Sequence, residues 1–251
     1  MDIYFELLQY PVFSAKKMNE YYSSIRTARQ VLTRLIQSGR VERIRNDLYT
    51  CVSGETLEPV ADRFQIASAI TAASYITHHT ALEYHGITNQ VYYDVYVAAE
   101  TKFKPFYYQG YTYHHVASKF QDGVVEPAFG GGIKVTDIER TIIDCVKDFK
   151  KIGGLDELLD NIASIQSLNE DKLLKYLDLY NNQFLYQKIG YFFQRENQQL
   201  HLSEAFYQEC RNRIGKSKRY LIKQHYDGLY NAEWRLIVPK YMNGVKIDDA
   251  I

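Results

Sequence analysis

The sequence predicts an α+β fold, and three observations carry that expectation. Residues 25–37 place apolar side chains at spacings of three and four, and two short strand-like runs follow. Residues 91–98 alternate apolar and polar. From residue 137 onward the chain reads as a series of helices. Strands first and helices later fit α+β better than a regularly alternating sheet.

The elements follow in order. Residues 3–9 (IYFELLQ) read as a short amphipathic helix stopped by Pro11. Ser14 is placed to cap a helix over AKKMNEYY, and Ser23 or Ser24 to cap the next, Ile25 to Gln37. In that helix Ala28, Val31, Leu32, Leu35 and Ile36 share a face, and Gly39 follows where a left-handed residue ends a helix. VERIR (41–45) and LYTCV (48–52) are strands, joined by Asn46 and Asp47 as a two-residue turn. The alternation in VERIR is imperfect, which leaves its register open. The polar stretch 53–59 is the expected linker.

Beyond it, 62–72 is helical, Ile76 ends an extended segment, and Thr77 caps a helix through HHTALEYHG. Strands are expected over 91–98, 107–116 and 133–136, the last after a glycine turn at 129–132. Thr136 or Asp137 caps a helix that ends at Gly153-Gly154. Helices at about 155–166, 170–181, 184–197 and 203–213, then strands at 219–223 and 233–239, complete the chain. The organisation expected is an N-terminal winged helix-turn-helix, 1–54, followed by a larger mixed α+β domain, 60–251, with a C-terminal helical part.

Composition bounds function only loosely. The 251 residues have no formal net charge, since 30 Lys+Arg balance 30 Asp+Glu. The distribution is informative where the total is not. Between Lys16 and Arg45 there are eight Lys or Arg (16, 17, 26, 29, 34, 40, 43, 45) and two Glu (20, 42), a local net charge of +6. Such a concentration on a groove-sized helix and hairpin is the footprint of a phosphate-binding face. The residues expected to contact double-stranded DNA are Lys16 and Lys17 on the preceding helix, and Ser24, Arg26, Thr27, Arg29, Gln30, Thr33 and Arg34 on helix 25–37. Arg43, Arg45 and Asn46 are the expected contacts at the hairpin tip. Arginine suits guanine and glutamine suits adenine, each through paired hydrogen bonds. A merely solvated basic surface, or a protein-interaction module of the same fold, is the plainer alternative.

Catalytic and metal constellations are weak by comparison. His78-His79 and His114-His115 are adjacent pairs whose members point in different directions, and His85 stands at a poor ligand spacing. Gly130-Gly131-Gly132 lacks the Lys-Ser/Thr of a phosphate loop; Lys134 is followed by Val135. Asp94, Glu100, Lys102 and Lys104 form a loose nuclease-like pattern, yet Val91, Tyr93, Val95 and Val97 explain the segment as a half-buried strand. Asp137 and Glu139 suit a helix N-terminus, and Arg140 with Asp144 makes an i,i+4 pair. Cys51, Cys145 and Cys210 match no disulfide or zinc spacing. No catalytic residue, metal or cofactor is expected. With no leader-like start and no apolar run of about 18 residues, the expected location is the cytoplasm, away from membranes.

Several stretches together resemble the AbiE-type (AbiEi) abortive-infection antitoxins, a family of viral-defence transcriptional regulators. They are SIRTARQVLTRLIQSGRVERIRNDLYTCV, ITHHTALEYHGIT (76–88), TDIERTIIDCV (136–146) and AEWRLIVP (232–239), in that order. The resemblance runs from about residue 10 to 240, and it departs at Asn46-Asp47, where the family commonly has Arg-Gly. It implies a DNA-binding antitoxin of a phage-defence toxin–antitoxin operon. Its winged helix would bind promoter repeats and repress that operon. Its second domain would oppose a nucleotidyltransferase-like toxin without a stable complex. The alternatives are a nuclease-like enzyme targeted by the winged helix, and an antitoxin that binds its toxin directly.

Overall fold

In the computed structural model, residues 2–88, 90–222 and 227–243 are described. They fall into two compact units that divide between Asp137 and Ile138.

The first unit begins with three helices and a hairpin. α1 (Ile3–Leu7) is capped by Asp2, whose carboxylate accepts the Tyr4 N–H at 3.1 Å. α2 (Ala15–Met18) is half the length expected from AKKMNEYY. Of its residues only Met18 is buried, and the helix stops at Asn19, where the polar pair Asn19-Glu20 is exposed. Its first free N–H, that of Ala15, is met by Asp47 Oδ1 at 2.9 Å and not by the Ser14 hydroxyl. α3 (Ile25–Gln37) has the expected bounds and buries Ala28, Leu32 and Leu35. It ends at Gly39 (φ +70°), where the Gly39 N–H reaches Ile36 O and the Arg40 N–H reaches Leu35 O, both at 3.0 Å. These paired bonds satisfy carbonyls the helix leaves open, and the left-handed step they need favours glycine.

β1 (Val41–Arg45) and β2 (Leu48–Cys51) pair antiparallel, with Asp47 left-handed (φ 58°) in the turn. The register shifts between Arg43 and Arg45. This bulge explains the broken alternation of VERIR, because one extra residue lets Val41 and Ile44 both point inward. The hairpin thereby serves two cores. Val41 and Cys51 join Tyr4, Leu7, Met18, Leu32 and Leu35; Ile44 and Leu48 join Ile66, Ile76, Val97 and Val135. The polar stretch 53–59 is a closed loop in which Val52 bridges Pro59 and Ser53 N–H donates to Glu58 O at 2.8 Å. Residues before and after it therefore share one compact unit.

α4 (Arg63–Ala69) opens with Asp62 and Gln65 as a reciprocal capping box. β3 (Tyr75–Ile76), α5 (His78–Tyr84), β4 (Asp94–Ala99), β5 (Phe106–Tyr108), β6 (Tyr111–Ala117), β7 (Val124–Val125) and β8 (Val135–Thr136) follow. The strands form one mixed sheet in the order β5-β6-β4-β3-β8-β7. The single strand expected over 107–116 is a hairpin. Gln109 and Gly110 are both left-handed, φ 46° and 83°, as the tightest hairpin turn requires.

The second unit packs α6 (Ile138–Lys147), α7 (Leu155–Ala163), α8 (Glu170–Tyr180), α9 (Gln183–Arg195), α10 (Asn197–Leu200) and α11 (Glu204–Arg213) with a small sheet. Its strands are β9 (Arg219–Tyr220), β10 (Gly228–Asn231) and β11 (Leu236–Pro239), ordered β10-β11-β9. The last residue of the strand expected over 219–223 lies outside the described residues. β10 escaped the sequence because Gly and Asn at its ends are poor strand formers. Buried Trp234 packs face-on against Gly190, where any Cβ would collide with the ring, and its Nε1–H donates to Gln194 Oε1 at 2.6 Å. Arg140 and Asp144 form the expected pair at 3.0 Å, buried and shared with the Tyr180 hydroxyl.

Candidate nucleic-acid interface

α3 is anchored by one face and bare on the other. At 3.6 residues per turn, Arg26, Arg29, Gln30, Thr33, Arg34 and Gln37 fall within an arc of roughly 140°, opposite Ala28, Leu32 and Leu35. All six are exposed, and with Ile25 they line an open surface depression along the helix. Ser24 and Thr27 are exposed beside them. Among the described residues, Arg26, Arg29 and Arg34 have no carboxylate at ion-pair distance. Thr33 is held in place, its hydroxyl donating to Arg29 O at 2.9 Å.

Gln37 and Ile25 were not among the residues expected from sequence. Gln37 had a legible signal, since it stands three turns beyond Arg26 on the same line. Ile25 did not, because an apolar side chain at the first helical position reads as core; it is 58% exposed.

The remaining expected residues divide. Lys16 is exposed with no ion-pair partner among the described residues. Lys17 is engaged by Glu20 at 2.7 Å and lies over the Tyr10 ring, and the Glu20 carboxylate raises its pKa. At the hairpin tip, Arg43 is exposed, and its Nη2 donates to Asn46 Oδ1 at 3.0 Å. Arg45 departs from expectation. Its guanidinium lies over the Phe103 and Phe106 rings at 5.4 and 5.0 Å, and Nη1 is buried. The bulge that turns Ile44 inward carries half-buried Arg45 toward these rings, while Arg43 stays exposed.

The weaker constellations are placed as follows. His114 donates to Asp94 at 2.8 Å, His85 to Thr136 O at 2.6 Å, and His115 to Ala99 O at 3.0 Å. His79 is fully buried; desolvation, then the nearby Arg63 charge, lowers its pKa to about 4. Glu139 accepts the Asn169 N–H at 3.0 Å. Among the described residues, no three His, Cys, Asp or Glu side chains converge as a metal site, and no helix is long and apolar enough to cross a membrane.

No family model matches the chain, and no curated protein matches it. Among solved structures, the crystal structure of the RV2827C protein from Mycobacterium tuberculosis is similar. Its TM-score is 0.61 at 10% sequence identity, over 94% of this chain and 89% of that one. At that identity the likeness is one of fold alone. The chain is a mixed α+β protein.

Proposed function

We propose that the chain is a DNA-binding antitoxin that represses its own toxin–antitoxin operon. In this reading α1–α3 and the β1–β2 hairpin are a winged helix-turn-helix, with α3 in the major groove of promoter repeats. The observation that carries the DNA-binding reading is the bare arc of α3. Arg26, Arg29 and Arg34 stand exposed beside Gln30, with no carboxylate to neutralise them among the described residues. Guanidinium and amide groups so displayed match the acceptor and donor edges of guanine and adenine. The backbone would be gripped by Lys16 and Arg43, which flank the helix in sequence.

The antitoxin part rests on the order of sequence stretches that resemble the AbiEi family. The protein acts in this reading as a binder without catalysis, opposing a nucleotidyltransferase-like toxin with no lasting complex.

Two measurements test the proposal. Gel shifts with the DNA upstream of the gene should give sequence-selective binding. Neutralising about five phosphates makes the log–log salt slope about −4.5. Salt-independent binding, or none, sinks the DNA reading. Co-expression with a neighbouring nucleotidyltransferase gene should restore growth without co-purification. A stable complex would move the antitoxin role to direct toxin binding.

A further inference from the structure

The outward turn expected of Arg45 is missing, and what covers that residue is informative. Side chains link β1 to β5 and the segment before it in a fixed sense. Near the start of β1, Glu42 accepts from the Tyr108 hydroxyl at 2.8 Å and from Gln109 Nε2 at 3.4 Å. At its end, Arg45 lies over Phe103 and Phe106. Higher numbers in one segment thus meet lower numbers in the other, and the β4–β5 connection arrives at the Asn46–Asp47 end of the hairpin.

That connection reads Thr101-Lys102-Phe103-Lys104-Pro105. Phe103 is buried, at 7% exposure, while its neighbours on both sides are exposed. An inward aromatic between two outward lysines is what an extended chain gives when one face is packed. Among the described residues neither Lys102 nor Lys104 has an ion-pair partner; Glu100, two residues before Lys102, is the nearest acid in the chain. The Arg45 guanidinium thus lies over the rings of a segment that carries two further cations.

We infer that Lys102 and Lys104 form a second phosphate-contact site, set at the hairpin tip by the Arg45–Phe103 contact, that extends the DNA-binding surface from the first fifty residues into the sheet-bearing part of the unit. This rests on the proposed DNA-binding reading, and it assigns the loop a ligand of defined chemistry, the backbone of a nucleic-acid duplex. Contacts to phosphate add affinity without base preference, which separates this site from α3.

The test measures binding of the full chain to its upstream duplex and to an unrelated duplex over a salt series. Lys102→Glu with Lys104→Glu should weaken both duplexes alike, by about tenfold or more, and make the log–log slope shallower by about 2. Arg29→Ala, in parallel, should narrow the gap between the two duplexes. Both lysines are exposed, so the double variant should melt with the wild type. If the double variant binds both duplexes as the wild type does while Arg29→Ala loses selectivity, the loop site is wrong and the α3 reading stands. If the wild type binds neither duplex, both fall.

Discussion

α3 and α11 each carry more than one arginine, and they treat them in opposite ways. On α11, Arg211 is paired with Glu204 and with Glu233, the latter at 2.7 Å. Arg213 is paired with Asp178 at 2.8 Å and Glu209 at 3.0 Å. On α3, Arg26, Arg29 and Arg34 are exposed and have no such partner among the described residues. Like charges spaced three apart on a helix, as Arg26 and Arg29 are, repel by a few tenths of a kcal/mol. A fold that neutralises one set of arginines and leaves the other bare retains a repulsion that a polyanion would relieve. Both helices carry arginines at the surface; the carboxylates beside them separate the two.

The most direct way to break the contrast is to give α3 the carboxylates that α11 has. Gln30→Glu with Thr33→Glu supplies i,i+4 partners for Arg26 and Arg29. Duplex affinity should fall by roughly 100-fold through neutralisation and added repulsion of phosphate, with helix content unchanged. Binding within a fewfold of wild type would reduce the bare arc to an ordinary solvated face.

The contrast also assumes that the first unit is folded when it displays α3, and His79 sets a lower pH bound on that. Burial and Arg63 lower its pKa to about 4, below the unfolded value of about 6.5. Its contribution is intact above the unfolded value. As pH falls from about 6.5 to about 4, the unfolded chain takes up a proton that the native state resists, and up to about 3 kcal/mol is lost. Glu83, whose carboxyl burial raises, works in the opposite direction and makes the net loss smaller. Denaturant titrations at pH 7 and pH 4.5 should show the loss in wild type and a smaller one in His79→Phe; equal losses would remove His79 as the cause.

The smaller effects sharpen the comparison from its other side. Arg213→Ala breaks two exposed, solvent-screened ion pairs and should leave the denaturation midpoint nearly unchanged, with duplex affinity unmoved. Arg45→Met keeps an unbranched side chain over Phe103 and Phe106 without the charge. It should leave the duplex dissociation constant within about twofold of wild type, because Arg45 is absent from the proposed contact set. A tenfold loss that persists on top of Lys102→Glu with Lys104→Glu would return Arg45 to the tip, and one that vanishes there would make its charge the anchor of the loop.

What was legible in the sequence was whatever local patterning controls. α3 was readable end to end, since its apolar spacing, its polar arc and Gly39 agree. The arc is also most of the candidate site, so that much of it could be read from spacing alone. The misreadings came from contacts distant in sequence. The start of α2 is capped from Asp47, 32 residues away, and not by the adjacent Ser14. Arg45 is drawn toward the sheet by a bulge and by Phe103 and Phe106, far along the chain. The break at Gln109-Gly110 did have a local sign, the glycine, but eight surrounding residues of strand-like composition outweighed it.

Trp234 is the sequence's sole tryptophan, and it is sealed within the second unit. Its indole emission therefore watches that half of the molecule and is blind to the melting of α3. A spectrum that stays blue while duplex is bound would report that the second half keeps its packing throughout. A red shift on adding DNA would mean that occupancy of the first unit is felt in the second, detected without attaching any label.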